Sequence, residues 1–203
     1  MDSTKRNTTI KNIVIIGVFA AIISIISALP IGFNILGVPA TLQTFAMAFA
    51  GYTLGYKKGT LTVIIYILLG AIGVPVFNGF NGGFSVILGV TGGFIIGFIF
   101  IALLCGIGTN LKKKISSHEK LSSNVKYILS LVIAILLGIL GLIICHIIGC
   151  IFGANVLGLG LVKTATLISI PYLPKDILSV VLAYLLALAV REALVKAKLS
   201  DVI

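Results

Sequence analysis

From Asn12 to Leu29 the chain runs without a charged side chain, and stretches of the same kind recur to its end. A helix needs about 20 apolar residues to cross the hydrocarbon of a bilayer, with about 17–25 common. Prolines and lysines punctuate the runs and divide them into six expected spans: 12–29 (stopped by Pro30), 40–56 (ending at Lys57-Lys58), 59–73 (stopped before Pro75), 84–111, 127–153 and 176–195. A further apolar stretch, Leu157 to Ile170, carries Lys163 among glycines and reads as a partly inserted outer segment. The N-terminal run after Lys5, Arg6 and Lys11 exceeds a signal-peptide core of about 7–15 residues, so it reads as a retained first helix.

Composition agrees. Hydrophobic residues make up 59% and charged residues 10% of the 203, with a mean hydropathy of +1.25. A soluble domain carries about 25% charge. The chain therefore reads as an all-α integral membrane protein, one membrane domain over residues 1–203 solvated by the lipid bilayer, multi-pass in the plasma membrane. Disorder, a disulfide scaffold and an ordinary cytosolic enzyme are excluded.

The net charge of +10 does not point to nucleic acid, because the basic residues sit between apolar runs rather than along one face. Thirteen of the 15 Lys and Arg fall on one set of alternate connections (N-terminus, 57–58, 112–126, C-terminal end) and two, Lys163 and Lys175, on the other. By the positive-inside rule the expected architecture is a six-transmembrane-helix bundle with both N and C termini cytoplasmic. The outer connections differ in kind. IGFNILGVPATLQ (31–43) and GVPVFNGFNGGFSVILGVTGG (73–93) hold no charge but many Gly, Pro, Asn and aromatic residues. Irregular backbone at membrane depth is tolerated where protein buries it or a cavity receives it. These segments are expected to fold back and line a site.

Candidate site residues cluster there. Asp176, in PYLPKD at the outer start of the last span, is an ionisable group at membrane depth and a default functional candidate; the plainer reading is a helix N-cap. Asn78 and Asn81, among glycines and Phe77, Phe80 and Phe84, offer amides beside flat apolar walls; the plainer reading is Asn-Gly turn chemistry. Thr41, Gln43 and Thr44 open the second span, either as ligand contacts or as interhelical partners. Cys145, His146 and Cys150 lack the second ligand pair a metal centre needs, so His146 reads as a neutral interhelical donor and the three cysteines as fillers. No catalytic set or phosphate-binding loop is present. Small residues Gly17, Ala20, Ala21 and Ser24 on the first span form a face able to meet another membrane subunit.

Three separated segments resemble one family. YILLGAIGVPVFNGFNGGFSVILGVTGGFIIGF (66–98) is similar to the Y-x-x-x-G-x-x-G-x-P-V-F, G-F-x-G-G and P-T-G-G-F/Y-x-x-G-F elements of the BioY family, the biotin-binding S-components of energy-coupling-factor transporters. VPATLQ (38–43) resembles its P-x-T-x-Q segment, and PYLPKDILSVVLA (171–183) its P-F-x-P-G-D-x-x-K segment. Val90 replaces the usual Pro, Lys175 a common Gly, and Ser179 a lysine associated with ligand contact. The resemblance implies a non-enzymatic subunit, without cofactor, that captures biotin outside. It also implies partners: a membrane coupling protein and two cytoplasmic ATPases. Asp176 would accept from a ureido N–H, and an asparagine or Gln43 would serve the remaining ureido groups. Lys163 and Lys175 would attract the carboxylate, while Phe80 and Tyr172 would cover the rings. An S-component for another vitamin and a non-transport intramembrane protein remain the alternatives.

Overall fold

The structure, a computed structural model, describes residues 3–30, 34–35, 38–116, 122–197 and 199. The basic connection expected over 112–126, with His118 and Glu119, lies partly outside the described residues. Helix α1 spans Ser3–Ala28. A two-stranded antiparallel ribbon follows, β1 (Asn34–Ile35) on β2 (Val38–Pro39). Then come α2 (Gln43–Ala71), α3 (Phe84–Leu88), α4 (Gly92–Ser116), α5 (Ser123–Leu157), α6 (Leu161–Ile168) and α7 (Leu173–Lys196). Four of these, among the described residues, are each long and apolar enough to cross a membrane, α1, α4, α5 and α7, and α2 reaches that length only when its two limbs are counted as one.

Two expected spans are joined within α2. Gly55 breaks the helix at φ 78°, ψ 175°, and the chain doubles back there. Gln43 Nε2 donates to the Tyr66 hydroxyl at 2.9 Å. Along a straight helix these residues would lie about 35 Å apart at about 1.5 Å per residue. The limbs 43–54 and 56–71 are therefore antiparallel neighbours. The reversal comes two residues before Lys57 because glycine takes a positive φ without the Cβ penalty. The carbonyls released by the turn are capped from elsewhere. Tyr52 O accepts from Thr109 Oγ1 at 3.1 Å, and Arg191 Nη1 donates to Thr53 O at 2.8 Å and Tyr52 O at 3.2 Å.

The run expected as a single span over 84–111 is also broken. Helix α3 stops at Leu88, residues 89–91 turn, and α4 starts at Gly92, whose N–H bonds to Gly89 O at 2.9 Å. A Cβ on Gly92 would overlap the Ile87 carbonyl, so the turn closes only around a glycine. The stretch expected as an outer segment (157–170) holds the short helix α6.

Small residues set the packing. Gly51 lies over the Ala102 backbone and Gly97 over Cys145, which lets α4 approach α2 and α5 closely. Tyr52, Tyr66, Tyr184 and Phe77 are the largest fully buried side chains. Outward, α1 exposes Ile10, Ile13, Val14 and Ile25, and α5 exposes Leu136, Leu140 and Ile147, a surface suited to lipid rather than water.

The bundle has two unlike ends. The Arg191 and Thr109 bonds gather the Gly55 turn, late α4 and late α7 at one end, and Tyr52 Oη donates to Ala134 O of early α5 at 2.9 Å. The ribbon, the start of α2, residues 73–91 and the start of α7 meet at the other.

Candidate ligand-binding site

At the end away from the Gly55 turn lies a cavity of about 290 Å³. That is near the lower limit of small-molecule sites, about 300–1,000 Å³. Its walls come from β2, the start of α2, the 77–91 connection, the start of α4, the middle of α5 and the start of α7. The glycine-rich connection is shaped locally. Phe77 and Asn81 pair across a tight turn through N–H to O bonds of 2.9 and 3.2 Å, with Gly79 and Phe80 at positive φ. Its tip is pinned to α1 by Gly79 N–H donating to Ala28 O at 2.9 Å.

Asp176 is 5% exposed and lines the cavity from the first turn of α7. It is not the N-cap: Tyr172 holds that position, and no side chain caps the helix. Carboxylate oxygen Oδ2 lies 3.3 Å from His146 Nε2, and Oδ1 lies 2.6 Å from Lys175 Nζ. The ammonium pairs closely with Oδ1, and the Thr44 side chain also hydrogen-bonds the carboxylate. Lys175 spends its aligned bond on Thr41 O at 2.6 Å. The helix N-terminus adds positive potential around the carboxylate.

The amides divide. Asn78 lines the cavity, and its buried Oδ1 has no donor. Asn81 also lines it, but its Nδ2 closes the turn on Asn78 O at 2.7 Å. Gln43 donates to Tyr66 and accepts from Thr41 Oγ1 at 3.1 Å, while Thr41 Oγ1 accepts from Gln43 N–H at 3.2 Å. Both still face the cavity. Tyr172 lines it with its ring and staples α7 to β2 through Oη to Val38 O at 2.6 Å.

Two expected contacts stand apart. Phe80, 60% exposed, is turned away by its own positive φ at the turn tip and does not line the cavity. Lys163 is exposed on α6 and does not line it either. Phe77 and Phe94 supply the aromatic walls in place of Phe80. The group that sequence reasoning left out of the site is His146. The available signal was the scarcity of acids: a histidine within an apolar helix needs a polar partner, and Asp176 is the acid that opens the last apolar run. Among the described residues no three His, Cys, Asp or Glu side chains gather to hold a metal. On α1, Ala20 and Ser24 face inward at 3% and 9% exposure, whereas Gly17 and Ala21 face outward. Neighbours on a helix turn to different faces, so only two of the four expected small residues remain free for a partner.

The sequence profile of the BioY family matches residues 2–196. The chain is 34% identical over 181 residues to the "Biotin transporter BioY" of Rhizobium etli, covering 89% of this chain and 92% of that one. It is 35% identical over 178 residues to the "Biotin transporter BioY" of Thermotoga maritima, covering 87% and 93%. A crystal structure described as the S-component for biotin from an ECF-type ABC transporter superposes with a TM-score of 0.75 at 28% identity over 95% of each chain. With its helical bundle, its cavity and a profile match over residues 2–196 in hand, this multi-pass membrane chain belongs to the BioY family.

Proposed function

We propose that the chain is the biotin-binding membrane subunit of an energy-coupling-factor transporter, and that the cavity is its biotin site. One observation carries the reading: the paired Asp176 carboxylate and Lys175 ammonium and the buried, donorless Asn78 Oδ1 line one small cavity and offer it acceptors on either side of a cationic donor. Biotin's ureido ring offers two N–H donors flanking one carbonyl. Asp176 and Asn78 accept from the N–H groups, and Lys175 donates to the carbonyl. An unmet acceptor at a buried site, such as Asn78 Oδ1, costs about 1–3 kcal/mol, which a matching ligand recovers. Phe77 and Phe94 cover the rings. Lys175 so close to Asp176 suits the ureido head rather than the carboxylate, which sits at the far end of biotin's tail and points to the mouth. The similar proteins, biotin transporters and a biotin S-component, support the same ligand.

The transport frame follows. Counting the two limbs of α2 separately gives six spans in one membrane domain. The lysine-rich end faces the cytoplasm with both termini, and the cavity opens outside. Gly17 and Ala21 meet a membrane coupling protein, and two cytoplasmic ATPases power release inside. Nothing in this reading requires a cofactor, and a transporter subunit is not an enzyme. Uptake of labelled biotin by cells making the chain together with a coupling module tests it. Uptake suppressed by unlabelled biotin but not by riboflavin or thiamine is expected. Suppression by another vitamin alone would move the chain to a different ligand, and no substrate-linked uptake would end the reading.

A further inference from the structure

The carboxylate of Asp176 is held by a chain of polar groups that begins on another helix. His146, in the middle of α5, is 6% exposed and lines the cavity. Its Nε2 lies 3.3 Å from Asp176 Oδ2, its Nδ1 lies 2.8 Å from Ser169 Oγ, and its ring meets Phe94 edge-on at 5.5 Å and 87°. Chemistry fixes the direction of these bonds. A carboxylate only accepts, so Nε2 carries the proton; in a neutral imidazole Nδ1 is then the acceptor, and the Ser169 hydroxyl donates to it. Ser169, itself 5% exposed, ends α6. The chain Ser169 to His146 to Asp176 thus ties α5, the α6–α7 turn and α7 to one carboxylate oxygen.

A carboxylate's terminal torsion is broad and roughly two-fold. Lys175 on Oδ1 and a Thr44 bond share in setting that torsion, and His146 fixes it from the Oδ2 side, which leaves Oδ1 as the oxygen presented beside Lys175. We propose that His146 is a positioning residue: it orients the Asp176 carboxylate for the ligand and sets affinity through Asp176 rather than by its own contact. The inference rests on the reading above, in which Asp176 accepts a ureido N–H.

Equilibrium binding of labelled biotin to the full chain in detergent tests it, with thermal unfolding of each ligand-free variant alongside. His146→Leu keeps bulk without a donor and should weaken binding about tenfold, the low end for a hydrogen bond to a charged group. His146→Gln, whose amide donates from near the Nε2 position, should stay within about threefold of the unmodified protein. In an Asp176→Asn background, His146→Leu should add less than about twofold, because the group it positions is gone. An equal loss in both backgrounds, or a glutamine variant as weak as the leucine one, would overturn the proposal. Should His146→Leu fail to fold, Ser169→Ala serves in its place: it leaves the ring and removes only the hydroxyl that sets it. A few-fold loss confined to the Asp176 background supports the chain, and equal losses in both refute it. If the unmodified protein binds no biotin, the parent reading falls, a result distinct from any pattern among the variants.

Discussion

Asp176→Asn keeps the size of the side chain and changes its bonding capacity. Four donors converge on the carboxylate in the ligand-bound site: the His146 ring at 3.3 Å, the Lys175 ammonium at 2.6 Å, the Thr44 hydroxyl and the ligand's N–H. Two oxygens can serve them; a carboxamide has one oxygen and turns a donor toward the rest. The bond lost to the ligand is charge-assisted and contributes about 1.5–3 kcal/mol net. A donor left facing a donor in a buried site adds about 1 kcal/mol or more. At about 1.4 kcal/mol per decade, biotin binding should weaken roughly ten- to a thousand-fold. Folding should survive, because the residue is not the cap of α7 and Lys175 keeps its bond to Thr41 O. Equilibrium binding in detergent, with ligand-free thermal unfolding as control, reads both quantities. Binding within about threefold of the unmodified protein, a gap of about 0.65 kcal/mol, would refute the assignment and shift it to Asn78.

Four further outcomes are expected. Lys175→Met should weaken biotin and biotin methyl ester alike if the ammonium serves the ureido carbonyl; a loss confined to the free acid would show that it holds the carboxylate. Membrane-impermeant thiol reagents should label cysteines engineered at Asn34 and Asn81 from outside but not one at Ser116, against a low background because all three native cysteines are buried; outside labelling of position 116 would invert the topology. Gly17→Leu and Ala21→Leu should spare binding yet impair uptake, and wild-type uptake by both would remove α1 from the coupling interface. Gly55→Ala forces a side chain into φ 78° and toward Asn110 Oδ1 at 2.9 Å, so it should cost about 1–3 kcal/mol and lower the thermal midpoint; an unchanged midpoint would contradict the turn.

Much of this was legible in the sequence. The apolar centres of α1, α5 and α7 follow from apolar length, but their limits do not: α1 starts at Ser3, ahead of Lys5, Arg6 and Lys11, and α5 runs from Ser123 through Lys126 to Leu157, because a lysine ends an apolar run without ending a helix. Asp176, Asn78, Gln43, Thr41 and Lys175 stood out as polar groups in apolar or uncharged surroundings, and all five line the cavity. What the sequence hid depends on direction rather than composition. Phe80 looked like a wall, but its backbone sits at φ 57° and aims the ring outward. Ala20 and Ser24 share the small-residue spacing of Gly17 and Ala21, yet helical phase turns them into the bundle. The break at 89–91 is invisible to hydropathy because every residue around it is apolar or small. His146 lies 30 residues before Asp176, and only the packing of α5 on the α6–α7 turn brings the imidazole to the carboxylate.

A structure of the chain with biotin bound tests the central claim most directly. The account predicts one biotin in the cavity, its ureido ring between Phe77 and Phe94. One N–H should lie about 3 Å from an Asp176 oxygen, the other within reach of Asn78 Oδ1, and the carbonyl against Lys175. Biotin bound elsewhere, or seated with its carboxylate on Lys175 and its ureido ring away from Asp176, would contradict it.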